Sequence, residues 1–219
     1  MTQTRAGTGP RALRSITAVT RAFLGFYMLM LGLQGIYFAS LALREVSEGY
    51  TMFLVIYPST ALSLFVLTLI TAVPLLVWVW QAHNNLRADR LDGLKTTPAW
   101  AVLGLIIPVV NLIVPPTAMR ELWNRSHGEP EWFAQQSVDK VSSWWTCFVV
   151  GSLIEAALVI QTGFNLLTNL KIIVPAGVNT GLHMFAVVLL GMSAWFLLRI
   201  VGAVAKAQQT VVSVGDAFA

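Results

Sequence analysis

The chain has 219 residues, 56% of them hydrophobic and 11% charged, with a formal net charge of +4. Soluble domains carry roughly 25% charged residues. At a mean hydropathy of +0.70, this composition excludes a disordered chain, a disulfide scaffold and an ordinary soluble enzyme. It describes an all-α integral membrane protein. The single cysteine, Cys147, has no partner for an internal disulfide, and His83, His127 and His183 lie far apart with no metal-ligand spacing. No metal, cofactor or nucleic-acid partner is expected. The basic residues gather at the ends of apolar runs, which is how helices are oriented in a membrane.

In chain order, residues 1–20 form a basic segment, polar and loose up to Pro10, which suits the first turn of a helix. The charge-free run Ala22 to Leu43 is long enough for a hydrocarbon core of about 30 Å. It also exceeds a signal-peptide core of about 7–15 residues, so an uncleaved first span (22–43) is the better reading. Gly49 to Leu86 is too long for one crossing, so its ends must leave the membrane around an apolar heart at 58–80. Further spans are expected at 142–168 and 177–198, within one transmembrane domain covering 21–209. Residues 210–219 read as a frayed tail.

The run between Thr96 and Met119 differs from the others. Pro108, Pro115 and Pro116 remove backbone donors and clash with the preceding turn, so one straight helix is not expected. Ala99 to Ile107 would rise only ~14 Å as a helix, about half a bilayer. A re-entrant hairpin at about 98–116 follows, its turn at Pro108–Asn111, leading into an interfacial helix at about 116–126. On that helix Met119, Leu122 and Trp123 share one side, leaving Arg120, Asn124 and Arg125 for headgroups or cytosol.

Charge counting tests the hairpin independently. Five crossings with the N-terminus inside would put eight Lys and Arg residues inside and six outside. Four crossings plus the hairpin put twelve inside, leaving only Arg44 and Lys171 outside. The positive-inside rule prefers the second arrangement. The expectation is four transmembrane helices plus the hairpin, both termini cytoplasmic; the alternative is five transmembrane helices.

At the end of the second span the chain reads Trp78-Val-Trp-Gln-Ala-His-Asn-Asn85-Leu-Arg-Ala. Then come Thr97-Pro98-Ala-Trp100, Pro108-Val-Val-Asn111-Leu112, and Pro115-Pro-Thr-Ala-Met-Arg120-Glu121-Leu-Trp123. This ordered series resembles the bacterial membrane family called domain of unknown function 4328. Asn85, Pro98, Trp100, Pro108, Asn111, Pro115 and Trp123 fall on its motif positions. Gln81 and Asn84 stand where the family often has basic residues. The resemblance implies a multi-pass fold in the bacterial inner membrane and brings no established activity.

Glu155 is the one charged side chain well inside a span. A charge there costs roughly 3 kcal/mol on insertion scales, so it should face protein or water. Gly151, Glu155, Thr162, Asn165 and Asn169 share one helical face. The line reads either as a path for a proton, ion or small solute, or as interhelical hydrogen bonding worth about 0.6 kcal/mol per contact. The second reading is preferred. His183 sits about six residues into the last span, ~10 Å from the depth of Glu155, so a direct pair is not expected and Gln161 is the favoured neighbour. Asn111 suits the hairpin tip, since its side chain both donates and accepts, and Asn85 suits the base.

Gly25, Gly32 and Ala39, and Gly177 with Gly181, are candidates for close helix approach. Trp78, Trp80, Trp100, Trp123, Trp144 and Trp145 read as an interfacial belt. No catalytic triad, phosphate loop or paired carboxylates are found. The leading function is a non-enzymatic scaffold or interaction protein acting through membrane lipids, a protein partner or a homo-oligomer. The alternative is a small-solute, ion or proton conduit built on the broken hairpin and Glu155. Activity, substrate, oligomeric state and physiological role are not written in the sequence.

Overall fold

The structure is a computed structural model describing residues 10–44, 49–88, 91, 93–107, 110–169, 172–175 and 177–217. Six α-helices account for most of it: α1 (Pro10–Arg44), α2 (Gly49–Ala88), α3 (Pro98–Ile106), α4 (Val114–Ser126), α5 (Asp139–Leu167) and α6 (Val178–Ala217). Short 3-10 turns lie at Val110–Leu112 and Glu131–Phe133. No strand occurs among the described residues.

Among the described residues four stretches are long and apolar enough to cross a membrane: Leu13–Ser40, Ile56–Ala88, Asp139–Leu167 and Val178–Thr210. The helices outrun the spans read from sequence because charged residues at their ends do not break a helix. α6 continues through Gln209 to Ala217 instead of fraying, since neither Gly nor Pro intervenes between Gly202 and Gly215. On α1 the division of faces is plain. Leu24, Tyr27, Leu31 and Phe38 are buried, while Phe26, Leu29, Leu33 and Ile36 are exposed as a stripe suited to lipid.

By its internal contacts the chain forms two compact units. The first comprises residues 1–24, 71–143 and 196–219; the second comprises 25–70 and 144–195. In the first, Leu13, Trp78, Leu122, Val141 and Ile200 are buried. Thr20 donates to the Pro74 carbonyl at 3.1 Å, and the Trp78 indole donates to Thr17 at 2.9 Å. Burial divides the tryptophans expected in the belt. Trp78, Trp144 and Trp145 are buried, because each adds more apolar contact inside than at a surface; Trp80 and Trp100 are exposed.

The first unit also holds α3 and α4, which pack against each other. Thr97 caps α3 by accepting from the Trp100 amide at 3.0 Å, with Pro98 in the first turn. A Cβ on Gly104 would fall 2.8 Å or less from Val114 side-chain carbons, so glycine sets the approach of the two arms. Pro108 lies outside the described residues.

In the second unit Phe38, Tyr57 and Leu158 form a buried cluster, packed by Ile56, Ala61, Ile154 and Met184. Close approach is made elsewhere than the sequence suggested. Gly25, Gly32, Gly177 and Gly181 face open space, whereas a Cβ on Gly151 would meet the Ala186 carbonyl at 3.2 Å and Leu190 at 3.0 Å. Small-residue spacing marks where approach is permitted, but the helix rotation decides where it occurs. Gly151→Leu should therefore lower the thermal unfolding midpoint in detergent, by the equivalent of about 1–3 kcal/mol. Gly25→Ala should leave it unchanged or raise it slightly, since alanine favours helix. Intrinsic tryptophan fluorescence on heating reads both.

Candidate functional site

Two polar constellations stand out, one in each unit. In the second unit Glu155 and His183 meet directly, with His183 Nδ1 2.7 Å from Glu155 Oε1. The Tyr57 hydroxyl donates to Glu155 Oε2 at 2.9 Å, and Gln34 Nε2 lies 3.3 Å from His183 Nε2. Phe38 and Tyr57 present edges to the imidazole, at centroid distances of 4.3 and 5.2 Å. Helices α1, α2, α5 and α6 thus each contribute one polar group to a buried cluster.

This overturns the expected separation of Glu155 and His183. The depth estimate assumed that α5 ends and α6 begins at one level. Asn165 instead binds Ile172 through both its backbone groups, at 2.7 and 3.1 Å, and Gln161 reaches the same carbonyl at 3.4 Å. Ile172 therefore lies beside the last turns of α5, and His183 on α6 falls level with Glu155. Gln161 serves that connection and is not the partner of His183. Thr162 and Asn165 are buried like Glu155, while Asn169 is exposed. Sequence reading missed Tyr57 and Gln34. Gln34 carried a usable signal, as the one carboxamide in the first apolar run. Among the described residues no third His, Cys, Asp or Glu completes a metal set.

In the first unit the motif residues organise chain segments that are not helical. Glu121 is fully buried, and its carboxylate accepts from the Lys95 amide at 2.6 Å and the Thr96 amide at 2.9 Å. Asn124 donates to the carbonyls of Phe133, Ala134 and Gln136 at 3.0–3.1 Å. Asn124 is therefore buried and does not face headgroups; three carbonyls of a non-helical loop need its amide more than solvent does. Met119 and Leu122 are buried beside it. Arg120 reaches Ser142 at 3.3 Å and Arg125 reaches the Glu129 carbonyl at 2.7 Å. Trp123 stacks on His127 at 4.5 Å, with Lys140 Nζ 5.2 Å from its ring centre.

Asn111 donates to the Leu105 carbonyl at 2.8 Å, and its own amide donates to Ile107 at 2.7 Å, closing the end of α3. Pro98 and Pro115 are buried and Trp100 is exposed. Asn85 donates to Gln208 Oε1 at 3.2 Å; Gln208 in turn donates to the Ala82 carbonyl at 3.1 Å and to Ser126 at 2.9 Å. One carboxamide thus joins α2, α4 and α6, a role with no signal in the sequence pattern. Beside it Ser126, His127, Gly128, Ala203, Lys206 and Thr210 line an open cleft of about 430 Å³.

Together the four long apolar helices and these buried polar ties define a multi-pass helical membrane protein. The chain belongs to the family described as domain of unknown function (DUF4328), whose sequence pattern matches residues 51–206. No match was found among curated proteins or solved structures.

Because Asn111 closes a turn that no helical partner can satisfy, Asn111→Ala and Asn111→Leu should each destabilise by about 1 kcal/mol or more. Asn85→Ala should cost less, since Gln208 keeps two other partners. Leucine at 111 should do no better than alanine. Thermal unfolding in a common detergent reads the ranking, and a stabilising Asn111→Leu would show that this hydrogen bond does not hold the turn.

Proposed function

We propose that this protein is a non-enzymatic interaction protein of the bacterial inner membrane, with both termini cytoplasmic. In this reading the α3–α4 hairpin dips into the bilayer from the cytoplasmic side and the loop after α4 docks a protein partner. The observation that carries it is Trp132. This side chain is 81% exposed, on a loop whose neighbouring carbonyls at 133, 134 and 136 are all held by buried Asn124. An ordered loop presenting a bare indole fits recognition, since tryptophan is favoured in the buried centres of interfaces.

Charge supports the orientation. Twelve of the 14 Lys and Arg residues fall in the first unit, leaving Arg44 and Lys171 in the second. Cytoplasmic segments carry that excess. The hairpin's membrane depth is supported by Leu103, Ile106, Leu112 and Ile113, all exposed around its turn, and by the lack of charge from Thr96 to Met119. At ~14 Å for α3, the arm suits half a bilayer.

Orientation is tested by single cysteines in a Cys147→Ala background. Ser137→Cys should react with an impermeant thiol reagent only after the membrane is opened, and Asn169→Cys from outside intact cells. Labelling of Ser137→Cys from outside would restore five crossings. For the interaction, a photo-crosslinking amino acid at position 132 should give one discrete adduct in native membranes. Trp132→Ala should lose that partner on mild-detergent purification while its stability stays within about 0.5 kcal/mol of the parent. Adducts to lipid alone would place Trp132 in the bilayer surface and end the docking reading.

A further inference from the structure

The cluster in the second unit has a property that a purely structural hydrogen bond lacks. With the Gln34 amide nitrogen facing the ring, His183 Nε2 accepts, so the ring hydrogen sits on Nδ1 and is donated to Glu155 Oε1 at 2.7 Å. Tyr57 supplies the second donor, to Oε2 at 2.9 Å. With Glu155 drawn as the carboxylate, every group in the cluster has a partner. Among the described residues His183 is the one ion-pairing partner of Glu155, and no Lys or Arg joins it.

We propose that Gln34, Tyr57, Glu155 and His183 form a site that takes up and releases one proton, with the Gln34 carboxamide turning over each time. In the loaded state the added proton lies in the ring–carboxylate unit. Both ring nitrogens then donate, or Glu155 donates to Nδ1 while Nε2 keeps the hydrogen. In either case Nε2 has become a donor, so Gln34 must present Oε1 in place of its NH₂ group. A carboxamide offers a donor at one corner and an acceptor at the other, and half a turn about its last bond exchanges them within one outline. Both states therefore satisfy every polar group without repacking.

The surroundings make that proton matter. Burying unpaired charge in apolar surroundings is costly, and uptake of one proton changes the cluster's net charge by one unit. The titratable groups facing it are few. Among the described residues α1 brings Tyr27, held by Thr68 at 3.2 Å, and Tyr37, packed edge-on to Phe38; α2 brings Tyr57, α5 brings Glu155 and α6 brings His183. Glu155 keeps 12% side-chain exposure while His183 has none. The inference stands apart from the docking reading, since none of its residues belongs to the first unit.

The test is nitrogen NMR on protein in lipid nanodiscs, labelled at histidine and glutamine side chains, across the range of pH in which it stays folded. With three histidines in the chain, a His183→Gln spectrum assigns the His183 signals by difference, and Gln34→Leu assigns the carboxamide. The expected result is a change in the His183 nitrogen signals and in the Gln34 signal with one shared midpoint. Glu155→Gln, which keeps the shape, should abolish that shared step without unfolding the protein. The wild-type spectra decide by themselves should the variant not fold. His183 held in a single tautomer throughout, or changing while Gln34 stays fixed, would overturn the proposal and leave a static bond between helices.

Discussion

A chain this poor in polar residues has to satisfy its own backbone wherever it leaves a helix. Inside a helix the ladder does so automatically; at a turn in apolar surroundings no bulk water is available to replace it. The same solution recurs at four irregular places in the described chain. Asn111 closes the end of α3, Glu121 takes two amides of the segment before it, and Asn124 takes three carbonyls of the loop after α4. Asn165 binds both backbone groups of Ile172. In each case one planar side chain does the work of a lost stretch of ladder, and leaving those groups unpaired would cost about 1–3 kcal/mol apiece.

Glu155 and His183 depart from this rule. Their bonds run from side chain to side chain across α1, α2, α5 and α6, and they close no gap in the backbone. Four leucines would join the helices with less desolvation. A structural account must therefore explain why ionisable groups were used where apolar ones suffice. The proposed proton exchange answers it, because a shared proton needs a donor, an acceptor and a neighbour able to follow the hydrogen.

What the sequence disclosed was whatever depends on one segment at a time. Apolar runs free of charge located the four long helices, and the spacing of Pro98, Pro108 and Pro115 marked the short broken arm. What it hid depends on how segments meet. Ile172 is tied back to Asn165 on α5, and α6 after it brings His183 to Glu155. Helix rotation decides that Gly151, and not Gly25 or Gly32, takes the close contact. Asn124 looked like a solvent residue because it neighbours Arg125 on the helix surface; a loop ten residues onward makes it a core one. Tyr57 stood one residue before the expected second span and so was never weighed as a membrane group.

This division also explains why the recognisable motif lies where it does. The long helices need only a hydrophobic face and adequate length, requirements that many sequences meet equally well. The stretch from Trp78 to Trp123 contains the irregular backbone, and irregular backbone can be completed only by particular side chains at particular positions. Pro98 and Pro115 start helices that must begin there, Asn111 ends one, and Glu121 fixes the strand-like entry to α3. The residues that identify the family thus maintain a shape. Chemistry or recognition belongs with the groups that this shape presents but does not itself require. In the reading proposed for the first unit that group is Trp132, exposed beside carbonyls that Asn124 holds.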